Sequence, residues 1–336
     1  MINKIPVFLS CDNKYAPFVA TTMASILMNT KSFIDFYVLE DNVTDENKKK
    51  ILSISTRFRN CSIDFLSVFT DRYFNTFKIC GHISKAAYSR FLIPTLRPEL
   101  SKVIYTDVDV AFMDDIKKLY DINLNGSIIA AVPMYRKNKD VYISTAKKLG
   151  LSNNNIFCSG LLIIDCVKWN ENDLTAKLMD LTKKLHDENK VATADQDAFN
   201  CFFDDNYYHL QIKWCIYPSM LLKEYTKEEI IELTQDKGII HYAGGRKPWH
   251  HRKDEFANYF WKYVPYTDFL FQIVSMNKDP INTGELHYRQ KYINAIIKLL
   301  VGRKKYKKLK KNPIGFFNDS KSSFIRFLGK YYFGLS

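Results

Sequence analysis

Lys102-Val103-Ile104-Tyr105-Thr106-Asp107-Val108-Asp109-Val110 reads as a buried strand that runs out into two carboxylates one residue apart. An apolar, β-branched run without turn residues suits a central strand covered on both faces. Side chains alternate across an extended backbone, so Asp107 and Asp109 leave its end in the same direction. Two such carboxylates repel one another unless a proton or a cation lies between them. A hard divalent ion that also holds phosphate oxygens meets that need. A lone D-x-D also ends strands with no chemistry attached, so its surroundings decide.

Those surroundings are βαβ in pattern. Pro6 to Cys11 is a short apolar strand, and a helical pattern runs from Ala16 to Asn29. A second strand follows at Phe33–Glu40, a helix capped by Thr44 reaches about Ser55, and Cys61–Ser67 is a third strand. This alternation predicts a mostly parallel sheet, whose ligands lie beyond the carboxyl ends of the strands. The loop Asp12-Asn13-Lys14 and the pair Asp107/Asp109 then share one crevice.

Further along, Ser84–Ile93 is expected to be a helix carrying Arg90 and ended by Pro94. Ile128–Val132 is a strand, and a helix from about Val141 to Leu149 closes at Gly150. The strand Phe157–Asp165 opens on Cys158-Ser159-Gly160, small residues that let something pass close to the backbone. After a helix from Leu174 to about Asn189, Thr193 and Gln196 match a capping box for a helix that also carries Asp195 and Asp197. Finally, the strand Gly238-Ile239-Ile240 leads into His241-Tyr242-Ala243-Gly244-Gly245-Arg246-Lys247-Pro248-Trp249. The glycines permit close approach to a ligand and Lys247 offers a point charge for phosphate. His241 at a strand end is a candidate third ligand, and mixed N/O ligation favours a manganese-type ion over calcium.

Composition narrows the classes. The chain has 336 residues, 46% hydrophobic and 15% aromatic, enough for one large α/β domain with an appendage. Seven scattered cysteines, odd in number and without a C-x-x-C, fit reduced thiols better than a disulfide framework or a zinc site. No basic leader precedes Ile5–Leu9, and no stretch reaches the ~20 apolar residues that span a bilayer, so a soluble or peripheral protein is expected. The net charge of +13 is concentrated: residues 291–336 carry twelve Lys and Arg against the single acid Asp319, which leaves +2 for the rest. That distribution argues against nucleic acid as the main partner. Within the tail, Ile293, Ile296, Ile297, Leu300 and Val301 follow helical spacing, as do Phe324, Phe327, Leu328, Tyr331, Tyr332 and Leu335. An aromatic stripe flanked by cations suits an anionic membrane surface.

Taken in order, these motifs resemble the family-eight retaining glycosyltransferases, in particular bacterial lipopolysaccharide and lipooligosaccharide galactosyl- and glucosyltransferases. The likeness covers roughly residues 5–265 and rests on Ser10–Pro17, His82-Ile83-Ser84 with Tyr88-Ser89-Arg90, the D-x-D, Phe157–Ile163, Asp195-Gln196-Asp197 and His241–Trp249. The resemblance implies a single-domain, Rossmann-like glycosyltransferase A fold at 1–275, followed here by a basic membrane-associating region at 276–336. It implies Mn2+, with Mg2+ as the alternative, on Asp107, Asp109 and His241, bridging to the diphosphate of a UDP-sugar. Ser10, Asp12 and Lys14 would line the uridine pocket. Val108, Cys158, Ser159, Gly244 and Lys247 would also contact the donor. Arg90, Asp195 and Gln196 would surround the transferred sugar, and His82 would face the acceptor. The expected activity moves galactose or glucose from its UDP donor to a glycan or lipid-linked glycan, in the cytoplasm at the inner face of the membrane. The chain departs from the family pattern at Cys158 and Lys14, where asparagine is usual. Rival readings are a metal-dependent phosphohydrolase, which would want further carboxylates, and an inactive sugar-nucleotide or membrane binder.

Overall fold

The computed structural model describes residues 4–77 and 84–278. His82 and the tail segments from residue 279 onward lie outside them. Among the described residues there are nine strands: β1 (Lys4–Asp12), β2 (Phe33–Asp41), β3 (Cys61–Ser67), β4 (Lys102–Thr106), β5 (Val110–Phe112), β6 (Ile129–Pro133), β7 (Phe157–Asp165), β8 (Tyr208–His209) and β9 (Ile239–His241). Seven of them form one sheet in the order β3-β2-β1-β4-β7-β6-β8, and β5 pairs with β9 in a second, two-stranded one.

Alternation along the central strands feeds a core on each face of the large sheet. Val7, Leu9, Ile104 and Ile163 enter one apolar cluster. Phe8, Val103, Tyr105, Leu162 and Ile164 enter the other. A strand buried on both sides needs apolar residues at odd and even positions alike, which is why these segments read as continuous hydrophobic runs.

The sheet is parallel from β3 through β4, but β7 runs antiparallel to both β4 and β6. This reversal matters for the site. The amino end of β7 lies beside the carboxyl end of β4, with Thr106 opposite Leu161. The Asp107 N–H then donates to the Gly160 carbonyl at 2.8 Å. The small residues Cys158, Ser159 and Gly160 are thereby set against the D-x-D.

The helix Ala16–Asn29 forms as expected, with Pro17 in its first turn, where a missing N–H removes no helical bond. Its residues from Ala16 to Leu27 are all buried. Polar side chains along this helix do a strand's work for β5. Thr22 Oγ1 donates to the carbonyls of Val108 (3.0 Å) and Val110 (3.2 Å). Ser25 Oγ accepts from the Phe112 N–H at 3.0 Å, and Asn29 Nδ2 donates to the Phe112 carbonyl at 2.9 Å. The short β5 is thus bonded to β9 on one side and to helix side chains on the other, and the turn that carries Asp109 is pinned.

Two helical expectations need correction. Lys85–Leu92 is a 3-10 helix, and it continues into a helical turn at Ile93–Leu96 instead of ending at Pro94. Pro94 falls in the first turn of that second piece, where proline is tolerated. The helix capped by Thr44 breaks at Ser53, giving Asp45–Leu52 and Ile54–Arg57. Among the described residues no helix is long and apolar enough to cross a membrane.

Thr22→Val keeps the side-chain shape and removes the donor, leaving two buried carbonyls short of a partner. The expected cost is about 1–3 kcal/mol, read as a lower urea midpoint at unchanged slope. An unchanged midpoint would show that the hydroxyl does not support the D-x-D turn.

Candidate active site

A cleft of about 410 Å³ opens where β1, β4, the start of β7 and the end of β9 meet. At its floor, the D-x-D leaves the strand as a turn between β4 and β5 rather than as extended backbone. Both carboxylates still converge. Asp109 Oδ1 lies 3.3 Å and Asp107 Oδ2 lies 3.7 Å from His241 Nε2. One ligating atom from each of the three residues falls within 4.8 Å of the others. Pairing of Val110 with His241 across β5 and β9 fixes the imidazole in that place.

The electrostatics of this cluster depend on burial. Asp109 is largely enclosed, with 13% of its side chain exposed, which opposes its charge, yet Lys247 and His241 outweigh that and hold its carboxyl well below the usual range. The Lys247 ammonium donates to Asp109 Oδ2 at 2.5 Å and to the Tyr242 carbonyl at 2.9 Å. Burial likewise opposes charge on His241, but Asp109 and then Cys158 raise it well above an ordinary imidazole. A ligating imidazole is neutral, so a divalent ion bound here would take the place of that proton. Gly160 completes the cradle. A Cβ on it would stand 2.5 Å from His241 Cε1 and 2.6 Å from Asp107 Oδ2. Two carboxylates, an imidazole and a wall that tolerates no methyl group fit a hard divalent ion.

Arg90 ties this floor to the side wall. Its buried guanidinium donates to Asp107 Oδ1 (3.0 Å), the Ser159 carbonyl (2.5 Å) and the Ala87 carbonyl (2.8 Å). It also stacks on the Tyr105 ring at 4.3 Å, and the Tyr105 hydroxyl donates to the same Asp107 oxygen. Tyr105 was legible as a site residue, since it shares its side of β4 with Asp107.

Asp195 faces Arg90 from the opposite element. Its Oδ2 lies 3.2 Å from Arg90 Nε, within ion-pair range, but the angle makes no hydrogen bond. Burial pushes this carboxyl up to about 7 in spite of Arg90. The residue before it, Ala194, is held at φ +53°, a conformation that costs a non-glycine residue about 1–3 kcal/mol. The expected capping box of Thr193 and Gln196 is absent. Asp197 does the capping, accepting from the N–H groups of Ala192 (2.6 Å) and Thr193 (2.7 Å) and from the Thr193 hydroxyl. Gln196 is released from that task, and its Oε1 accepts from the Ser159 N–H at 3.3 Å.

The remaining expected residues divide. Ser10, Asp12, Val108, Ser159 and Gly244 all line the cleft. Ser10 Oγ donates to the Ala86 carbonyl and Asp12 Oδ1 accepts from the Tyr15 N–H, so each is fixed by a local bond. Gly244 has φ +87°, a left-handed conformation that suits glycine. Lys14 is exposed and is not part of the lining. Cys158 lines the cleft, but its sulfur turns toward His241 Nδ1 at 3.7 Å. Behind it stands Cys215, with its sulfur 3.4 Å from the same nitrogen. No spacing in the sequence announces Cys215, because it reaches the site through a 3-10 turn at Ile212–Trp214.

Gly160→Ala is expected to fold, because the atoms it displaces are side-chain ends, while moving two of the three candidate ligands. Divalent-ion affinity by calorimetry should fall about 10–100-fold, as for other changes that disturb ligand orientation. Unchanged affinity would place the ion elsewhere.

Comparison with known proteins supplies the family. The profile described as glycosyl transferase family 8 matches residues 6–253. General stress protein A of Bacillus subtilis is 29% identical over 280 residues, covering 79% of this chain and 95% of the relative. Lipopolysaccharide 1,2-glucosyltransferase of Escherichia coli is 29% identical over 245 residues, covering 71% of each. Among solved structures, the galactosyltransferase LgtC in complex with donor and acceptor sugar analogues aligns with a TM-score of 0.67 at 20% identity, over 79% of this chain and 96% of that one. That likeness extends the shared architecture to the whole mostly parallel sheet. Because the family profile spans most of the chain, the chain belongs to glycosyl transferase family 8.

Proposed function

We propose that the cleft binds a UDP-hexose, with galactose or glucose as the sugar, and transfers the hexose with retention to a hydroxyl of a glycan acceptor. The observation that carries this reading is the convergence of Asp107, Asp109 and His241 with Lys247 on one floor, below the buried Asp195. The relatives favour a cell-surface glycan as product: one is named a lipopolysaccharide glucosyltransferase. A phosphohydrolase is disfavoured, since the groups able to hold a metal among the described residues include no second carboxylate cluster.

Asp107, Asp109 and His241 would hold Mn2+, or Mg2+, which supplies charge stabilisation for the departing diphosphate. Lys247 adds a second positive charge on the same side, and Gly244 allows the backbone to approach the phosphates. Breaking the anomeric C–O bond sends its electron pair to the UDP oxygen and leaves positive charge on the sugar ring. Asp195 offers a carboxylate to that charge, and a cation beside it draws the acid toward its ionised form. Arg90 holds Asp195 and Asp107 at a fixed separation. Gln196, bound to Ser159, is an amide and a poor nucleophile. The acceptor hydroxyl therefore attacks from the side the diphosphate leaves, and a diphosphate oxygen takes its proton. Ser10 and Asp12 would meet the uridine, and His82 the acceptor.

UDP release from UDP-galactose or UDP-glucose tests this directly. Turnover is expected with Mn2+ and not with a chelator, and Asp109→Ala should lower it about 10²–10³-fold. Equal release in chelator, or near-normal turnover by Asp109→Ala, would remove the assignment.

The basic tail belongs to the same reading as a membrane-associating region that brings the enzyme to a lipid-linked acceptor on the cytoplasmic leaflet. Full-length protein should float with anionic vesicles at low salt and detach as salt rises. Equal flotation after deletion of residues 303–336 would sink this part.

A further inference from the structure

His241 has two faces, and only one is used above. Nε2 looks at the carboxylates, while Nδ1 looks at two sulfurs, Cys215 at 3.4 Å and Cys158 at 3.7 Å. All three donor atoms fall within 4.8 Å of one another, and all three residues are buried. A single S–H···N hydrogen bond accounts for one sulfur beside a ring nitrogen. No single partner then accounts for both sulfurs: the Gly160 N–H donates to Cys158 Sγ at 3.2 Å, and the two thiols lie within reach of one another.

Tetrahedral coordination does account for both. Zinc bonds of about 2.3 Å to sulfur and about 2.05 Å to nitrogen, at the tetrahedral angle, put S and N ligands about 3.6 Å apart. The two observed separations bracket that value. The carboxylate face is looser, at 3.3 and 3.7 Å where octahedral bonds of about 2.1 Å would want about 3 Å. Two sulfurs and one nitrogen form a soft donor set, which selects zinc over manganese or magnesium. The Tyr217 hydroxyl stands against both sulfurs.

We propose that Cys158, Cys215 and His241 form a second cation site, selective for Zn2+, that excludes the carboxylate-bound ion because both ions need the same imidazole. Binding releases to solvent the two thiol protons and the Nδ1 proton of the imidazolium, and the freed Nδ1 lone pair goes to the metal. The remaining ring proton then sits on Nε2, where it donates to Asp109. In that tautomer Nε2 has no lone pair for a second ion. The exclusion, though not the zinc site, rests on the proposed role of His241 beside Asp107 and Asp109. Asparagine, the residue the family pattern places at position 158, would supply no sulfur there. The cysteine would thus confer sensitivity to zinc.

X-ray absorption at the zinc edge tests the site on full-length, reduced protein loaded with one equivalent of Zn2+. Two sulfur neighbours at about 2.3 Å are expected, falling to one in Cys215→Ser and one in Cys158→Ser. A shell of nitrogen and oxygen alone, or a sulfur shell unchanged in both variants, overturns the proposal. Exclusion is read from the magnetic-resonance signal of free Mn2+, without recourse to activity. Zinc should displace bound Mn2+ from the wild type, and Cys215→Ser should need at least tenfold more zinc. Equal displacement from both proteins would mean that zinc competes only at the carboxylates. A sulfur shell in a protein that binds no Mn2+ would leave the zinc site standing and remove the metal role proposed for Asp107 and Asp109.

Discussion

The structure depends on keeping several buried and half-buried charges in balance around one imidazole. Asp107, Asp109 and Asp195 supply negative charge, and Arg90, Lys247 and a protonated His241 supply positive charge, all at the mouth of an apolar sheet. Each would be expensive to bury alone, and each is paired here. Replacing the His241 proton by a divalent ion, with Asp195 ionised, leaves the cluster with one excess positive charge. On the proposed reading that excess would suit a diphosphate, and the more so as the leaving group gains charge.

The fold supplies this balance through the reversal of β7 and the pinning of β5. Had β7 run parallel to β4, its aspartate end would have met the D-x-D, and Gly160 would lie at the far edge of the sheet. Running antiparallel, it delivers the small residues to the one place where a Cβ would strike His241 and Asp107. The second constraint is Thr22, whose hydroxyl holds the carbonyls on either side of Asp109. A helix more than eighty residues earlier in the chain thereby sets the position of a candidate metal ligand.

Much of this was legible in the sequence, because the relevant signals are local. The buried run ending in Asp107 and Asp109, the helix Ala16–Asn29 and the small residues opening β7 each follow from composition and period. What was not legible is non-local or competitive. Thr193 and Gln196 have capping-box spacing, yet Asp197 captured the backbone N–H groups, since a carboxylate binds them more strongly than the neutral Gln196 amide. Lys14 lies in the correct loop, but its side chain goes to solvent. The two sulfurs behind His241 come from segments 57 positions apart with no shared spacing, so only the tertiary fold could bring them together.

The central claim is that the cleft recognises a nucleotide diphosphate through a cation held by Asp107, Asp109 and His241. Titration calorimetry of UDP with and without Mn2+ tests it most directly. The account predicts measurable binding in Mn2+ that disappears in chelator and in Asp109→Asn. UDP binding of equal strength in chelator would contradict it.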